Sequence, residues 1–247
     1  MFYGFKEGKR SVETLRKALE DMKSCFTSMF ASDNLVTFDR NLGFLEDRPF
    51  MTAFESTSPD AKEQSIVWRL HVLAWAADHA LSQEGDFVEC GVFRGFSTAV
   101  LARYLGFEKV PKQWYLYDTF AGIPEDQENV GSVSPEEYED PNLYATVCER
   151  FAHFPNIKVI KGRVPEVLAE QSPERVALLH IDMNSAIAEV GALEVLFPRV
   201  VPGGIVVLDD YGWMYYREQK IAEDEFFSAL GYRVLELPTG QGLVLKR

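Results

Sequence analysis

The chain has little cysteine, little basic charge and no long apolar run. Its 247 residues include only three cysteines, Cys25, Cys90 and Cys148, far apart and without C-x-x-C spacing. That pattern argues against a disulfide framework and a thiolate zinc cluster and leaves three reduced, packing residues. Lys and Arg total 25 against 38 Asp and Glu, for a formal net charge of -13. Phosphates are repelled by such a surface, so neither nucleic acid nor an anionic membrane is an expected partner. No stretch approaches the about 18 uninterrupted apolar residues of a membrane span. The opening MFYGFKEGKRS lacks the apolar core of a signal peptide, which makes the cytoplasm the expected compartment. There is no internal repeat and no low-complexity tract.

What is present is a hydrophobic fraction of 47%, enough for a folded core. The length suits one large α/β domain with an extension. Residues 1–84 read as an N-terminal helical extension or lid that does not fold alone, and residues 85–247 as the main domain. Residues 1–30 are amphipathic and helical, and residues 31–60 read as loop with short structure. A strong helix follows. Ser58 or Asp60 caps it, Ile66, Leu70, Leu73, Ala77 and Leu81 form one apolar stripe, and Trp68, Val72, Trp75 and His79 form a second, so much of it should be buried. His71 and His79 read as packing or surface residues.

From Gly85 strands and helices alternate. Strands are expected at Phe87-Val-Glu-Cys-Gly, Trp114-Tyr-Leu-Tyr, Ile157-Lys-Val-Ile, Ala177-Leu-Leu-His-Ile and Gly204-Ile-Val-Val-Leu. The last two, 232–237 and 242–246, are joined by Pro238-Thr-Gly-Gln. That is too short for a helical crossover, so they should pair antiparallel. The expected fold is a doubly wound, mostly parallel, seven-stranded α/β sheet with an antiparallel C-terminal hairpin, a layout that resembles class I methyltransferases. A nicotinamide-dependent reductase is disfavoured by that hairpin, by the missing G-x-G-x-x-G and by the lack of a Tyr-x-x-x-Lys pair.

In such a sheet ligands bind beyond the carboxyl ends of the strands. After the first comes Glu89-Cys-Gly91-Val-Phe-Arg94-Gly95-Phe-Ser97-Thr98. Gly91 and Gly95 permit tight turning, the helix start at Ser97 and Thr98 offers free N–H groups to a carboxylate, and Glu89 can accept from an ammonium. The alternative is a purely structural turn. After the second strand, Asp118 can accept from two ribose hydroxyls or be a solvated loop residue, and Thr119 follows it. Gly162 and Arg163, after the third, are placed to border an adenine. The fourth strand ends at Asp182-Met-Asn184 and the fifth at Asp209-Asp210-Tyr211. These strands are neighbours in the expected fold, so three carboxylates converge. They either hold a hard cation such as Mg²⁺ or make separate cap and loop hydrogen bonds. A cation there can bind an acceptor hydroxyl, lower its pKa and align it with a methyl donor.

Taken together, Glu89-x-Gly-Val-x-Arg-Gly-x-Ser, Asp118-Thr-Phe-x-Gly-Ile-Pro, His180-Ile-Asp182, Phe197-Pro-x-x-x-Pro-Gly-Gly and Asp209-Asp-Tyr-Gly resemble the macrocin O-methyltransferase family over about residues 85–230. The resemblance implies S-adenosylmethionine as cofactor, held in part by Asp182 and with Arg94 in the glycine motif. It also implies Mg²⁺ on Asp182, Asp209 and Asp210, and for many members a sugar hydroxyl as acceptor. One departure is local. The family reads Asp-x-Asp-Leu-Tyr-Glu-Ser where this chain has Asp182-Met183-Asn184-Ser185-Ala186, so Asn184 stands at the family's candidate general base. Asp182, Asn184 and Tyr211 are the candidate catalytic residues. The expected function is O-methylation of a small, sugar-bearing acceptor. A metal-independent or N-directed methyltransferase and a non-catalytic binding domain are the alternatives. The apolar N-terminal part also suggests a homodimer.

Overall fold

The computed structural model describes Phe2, residues 9–129, Tyr138 and residues 140–247. Helix α1 (Lys9–Lys23) leads to an antiparallel hairpin, β1 (Met29–Ser32) and β2 (Leu35–Phe38). Its turn residues, Asp33 and Asn34, have φ 52° and 56°. Two left-handed residues make a type I′ turn, and Asn and Asp tolerate that conformation best among non-glycines. Loop was expected here, but hydrophobic Met29-Phe-Ala and Leu35-Val-Thr-Phe flank a two-residue turn signal. Helix α2 (Arg48–Ser56) follows. The Asp47 carboxylate accepts from the Phe50 N–H at 3.1 Å, and Pro49 sits in the first turn, where its missing N–H costs nothing.

The expected long helix is broken in two. Asp60 and Glu63 form a reciprocal capping box on the short α3 (Ala61–Ser65), and α4 (Val67–Leu81) starts afresh after Ile66. Leu70, Leu73 and Ala77 of the first stripe are buried, and Ile66 and Leu81 at its ends are half-buried. The second stripe is not buried: Trp68 and Val72 are half-buried and Trp75 is exposed. His71 stacks on Phe44, and the His79 ring lies 3.0 Å from the Gly203 carbonyl oxygen.

The main sheet contains β3 (Asp86–Cys90), β4 (Trp114–Asp118), β5 (Ile157–Lys161), β6 (Val176–Ile181), β7 (Val200–Leu208), β8 (Leu235–Glu236) and β9 (Gly242–Leu245). Its order is β5-β4-β3-β6-β7-β9-β8. The first five strands are parallel, and β9 runs antiparallel to both β7 and β8. The expected hairpin is therefore present, with β8 only two residues long. Helices α5 (Phe96–Leu105), α6 (Leu143–Phe151), α7 (Ala186–Leu196) and α8 (Arg217–Ala229) complete the alternation.

Both faces of the parallel strands are covered, as such sheets require. Phe87, Leu178, Ile205 and Val207 join the core formed with α2, α4, α5 and α6. Val88, Cys90, Leu179, Ile181 and Val206 join the opposite core with α7 and α8. Strand side chains alternate between faces. Glu89 and His180 therefore share the face of Phe87 and Leu178. Among the described residues no helix is long and apolar enough to cross a membrane.

Candidate active site

A cavity opens at the carboxyl ends of β3, β4, β5 and β6, where the strand order reverses around β3 and β6. Gly91, Asp118, Gly162, Asp182, Asn184 and Tyr138 line it, with Thr119, Ile123, Leu143, Val164 and Met183 supplying further wall. Apolar side chains with a few convergent polar groups are the make-up of a small-molecule site.

The ends of the strands are pinned by backbone. The Asp182 N–H donates to the Cys90 carbonyl at 2.8 Å, and the Asp209 N–H to the Ile181 carbonyl at 2.9 Å. Gly91 has φ 90°, and a Cβ on it would lie 1.9 Å from the Asp182 carbonyl oxygen. Glycine is needed there for the contact between β3 and β6. Asp118 clamps the turn after β3: its Oδ2 accepts from the Val92 and Phe93 N–H groups, both at 2.8 Å, and its Oδ1 from Phe120 N–H at 2.7 Å. Three of a carboxylate's roughly four acceptor positions are thus taken. Asp118 faces the cavity, but its first job is to shape the loop.

The second centre is a carboxylate cluster. Asp182, Asp209 and Asp210 each offer an oxygen within 4.8 Å of the others, as the adjacency of β6 and β7 implied. An arginine from α4 has already entered it. Arg69 Nη1 lies 2.7 Å from Asp209 Oδ2 and 2.9 Å from Asp210 Oδ1, while its Nε and Nη2 reach the two oxygens of Asp33 at 2.7 and 3.2 Å. Arg69, Asp33 and Asp209 are all buried. Asp209 Oδ1 also accepts from Gln241 Nε2 at 2.8 Å. The Asp182 carboxylate, by contrast, takes no hydrogen bond from a described residue and lines the cavity.

Charge is unevenly shared. Burial opposes ionisation of Asp209, but the Arg69 charge and the His180 ring hold it well below the usual carboxylate range. Burial raises Asp210 to about 6 against the pull of Arg69, and burial with the charges of Asp209 and Asp210 raises Asp182. Burial also disfavours the charged form of His180, but the nearby Asp209 carboxylate and the hydrogen-bonded Glu89 push its pKa up to about 10. Its Nδ1 is 2.9 Å from Glu89 Oε1 and its Nε2 is 3.7 Å from Asp209 Oδ1. His180 is therefore a buried cation at neutral pH and not a base. Tyr138 and Tyr216 are raised by burial and by nearby carboxylates, so both phenols stay protonated.

The structure brings Gly91, Asp118, Thr119, Gly162, Asp182 and Asn184 together around one cavity, with Asp209 and Asp210 beside it. The other residues singled out by sequence lie elsewhere. Glu89 is buried on the α4–α5 face, where Thr98 donates to it and His180 pairs with it. Gly95 packs beneath Phe151, and Ser97 is outside the cavity lining. Arg94 pairs with Asp60 at 3.2 Å, and Arg163 forks onto Asp126 at 3.0 and 2.7 Å. The Tyr211 hydroxyl donates to Asp224 at 2.6 Å, away from the cavity. Sequence reasoning missed Arg69 and Asp33. A signal existed for the first: an arginine on the otherwise apolar buried face of a helix needs a buried partner.

A family model described as macrocin O-methyltransferase (TylF) matches residues 67–229, from the start of α4 to the end of α8. The chain belongs to the macrocin O-methyltransferase family. Among its relatives is mycinamicin III 3''-O-methyltransferase of Micromonospora griseorubida, 27% identical over 161 residues, which span 58% of this chain and 62% of that enzyme. Another is the 8-demethyl-8-(2,3-dimethoxy-alpha-L-rhamnosyl)-tetracenomycin-C 4'-O-methyltransferase of Streptomyces olivaceus, 28% identical over 191 residues, or 67% of this chain and 73% of that one. The solved calicheamicin methyltransferase CalS11 shares the fold at a TM-score of 0.62 and 18% identity, covering 98% of this chain and 94% of its own. The family membership fits the site's location at the switch point and includes α4, whose Arg69 reaches the acidic cluster.

Proposed function

We propose that the protein is an S-adenosylmethionine-dependent O-methyltransferase that modifies a hydroxyl on a small, sugar-bearing acceptor. The observation that carries the reading is the unengaged Asp182 carboxylate, facing the cavity beside Asp209 and Asp210 in a chain of this family. Both relatives are named as O-methyltransferases, one of mycinamicin III and one of a tetracenomycin that carries a rhamnosyl group. Ile123, Leu143, Val164 and Met183 would hold the cofactor's nucleoside, and Asp118 and Thr119 would offer polar groups to its ribose. When bound, the cofactor supplies an electrophilic methyl group on a cationic sulfur.

The donor set of Asp182, Asp209 and Asp210 is all oxygen, which suits a hard divalent cation such as Mg²⁺. Such an ion, when bound, lowers the pKa of an acceptor hydroxyl. The chain's own residues do the rest. Asp182 orients the acceptor hydroxyl, while Asn184, which carries no carboxylate, and His180, already protonated, do not take its proton. Phe93 and Tyr138, with ring centroids 4.9 Å apart, wall the site against water. A second reading, methylation without metal, is favoured by one observation: Arg69 already neutralises Asp209 and Asp210. A small-molecule acceptor with no nucleic acid or membrane partner, a cytoplasmic setting, a lid formed by residues 1–84 and a homodimer belong to the proposal. The sequence over residues 119–142, rich in Asp, Glu, Pro and Gly, also reads as a loop able to close over the site, and part of it lies outside the described residues.

The test is calorimetric titration with S-adenosylhomocysteine, with and without Mg²⁺, on wild type and on Asp182→Ala/Asp209→Ala. Micromolar binding, with the metal response lost in the variant, supports the metal-assisted enzyme. Binding with no metal response selects the second reading. A folded protein that binds no S-adenosylhomocysteine rules out both.

A further inference from the structure

The cavity wall at Met183–Ser185 is held from behind by a buried network outside the carboxylate cluster. Asn184 is left-handed, with φ 56°, so this turn needs external support. The Met183 N–H donates to Glu189 Oε1 at 3.0 Å. Gln219 Nε2, from α8, donates to both Glu189 oxygens at 3.0 and 3.1 Å. Asn129 Nδ2 donates to the Asn184 carbonyl and to Gln219 Oε1, both at 3.1 Å, and Asn129 Oδ1 accepts from the Ala186 N–H at 3.0 Å. One carboxylate on α7 thus ties the turn after β6 to α8 and to the loop after β4.

Behind it stands a second acid. Glu223, one turn beyond Gln219 on α8, is 0% exposed and Glu189 is 2% exposed. Neither Glu223 oxygen has a conventional donor among the described residues, and the two carboxyls act directly on each other. Among the described residues no buried cation pairs with them. Lys220 and Asp224 on α8, and Asp210 beyond β7, act on the pair from a distance. On the other elements packed against α7, Asp126 and Glu166 pair with Arg163, Arg199 bonds Ser172 and the Pro173 carbonyl, and His180 pairs with Glu89. Two adjacent buried carboxyls cannot both ionise without heavy cost, so they hold a proton between them.

We propose that Glu223 is the proton-bearing partner that keeps Glu189 ionised as the acceptor for Met183 and Gln219, making the two glutamates positioning residues for the cofactor cavity. Burial, partly offset by these hydrogen bonds, raises Glu189 to about 7, and burial with the charge of Glu189 raises Glu223 well above the usual range. The arrangement is complete when Glu189 is ionised and Glu223 is protonated. As pH falls through 7, Glu189 takes up a proton, its acceptor strength drops and the wall loosens. Stability moves the other way. An acid whose folded-state pKa is raised stabilises fully below its unfolded value and loses that contribution as pH rises through the folded one. The network therefore favours ligand binding at a cost in stability.

The inference rests on the cofactor reading above, and calorimetry with S-adenosylhomocysteine between pH 5.5 and 8 tests it. In wild type, affinity should fall about tenfold toward pH 5.5, the scale of one weakened charge-assisted hydrogen bond, while the melting temperature rises. Glu223→Gln, which keeps a neutral donor beside Glu189, should retain both the pH 8 affinity and the pH slope, since Glu189 still titrates, and melt higher at pH 8. Glu189→Gln should bind weakly at every pH, near the wild-type value at pH 5.5. If one variant fails to fold, the other decides. A flat wild-type profile, an unchanged slope in folded Glu189→Gln, or a lost pH 8 affinity in folded Glu223→Gln overturns the inference and leaves the cofactor reading intact. Absence of binding at every pH removes the cofactor reading and this inference with it.

Discussion

Replacing Arg69 by Met removes one guanidinium from the centre of four acids. The side chain is only 9% exposed, and its partners Asp33, Asp209 and Asp210 are 8, 11 and 13% exposed. Methionine keeps the packing of the stem and deletes four hydrogen bonds of 2.7 to 3.2 Å. Removing one partner of a buried ion pair costs about 3–5 kcal/mol, because the remaining charge is left without compensation. For a chain of this size that corresponds to a fall in melting temperature of roughly 6–20 °C. The loss should depend on pH. Asp210, already raised to about 6 beside Arg69, rises further without it and can escape by taking up a proton, so the deficit should be greatest at pH 8 and smaller at pH 5.5. Thermal unfolding followed by circular dichroism at both pH values, with EDTA or with millimolar Mg²⁺, measures this. Mg²⁺ should raise the melting temperature of the variant more than that of wild type, since the ion can occupy the vacated charge. A deficit below about 1 kcal/mol at pH 8, or one that grows on acidification, would refute the view that Arg69 is the resident counter-charge.

Three further outcomes follow from the same geometry. Asp118→Ala should weaken S-adenosylhomocysteine binding by roughly tenfold or more in calorimetry, because three loop N–H groups lose their acceptor. Gly91→Ala should fail to accumulate as folded protein, or melt far below wild type, since its Cβ would meet the Asp182 carbonyl at 1.9 Å. His180, raised to about 10, contributes stability that is full below its unfolded value near 6.5 and is lost as pH rises through 10. The melting temperature of wild type should therefore drop between pH 8 and 10.5, and His180→Gln should flatten that limb while lowering stability at pH 7.

Much of the architecture was legible because it rests on local pattern. The apolar runs at 87–90, 177–181 and 204–208 are strands buried on both faces, and their alternation with helices implies a parallel sheet. The short Pro238–Gln241 link required an antiparallel end, and the convergence of Asp182 with Asp209 and Asp210 followed from strand adjacency alone. The hairpin at 29–38 was missed, although its Asp33-Asn34 turn signal was in the chain, because each strand is only four residues long.

What tertiary structure alone decided is which side chain meets which charge. The parity of each strand turns Glu89 and His180 toward α4 and α5 and away from the cavity, so two residues next to the glycine and aspartate motifs became a buried ion pair. Asp33 and Arg69 are 36 residues apart, and Arg69 and Asp209 are 140 apart. No periodicity connects such positions. Their pairing depends on how the hairpin and α4 dock on the sheet, and docking is set by the sum of many packing contacts rather than by any spacing in the sequence. Ionisation follows the same rule. The sequence specifies the acids, but burial and the reach of Arg69 determine that Asp209 stays charged, that Asp210 titrates near 6 and that Asp182 faces the cavity.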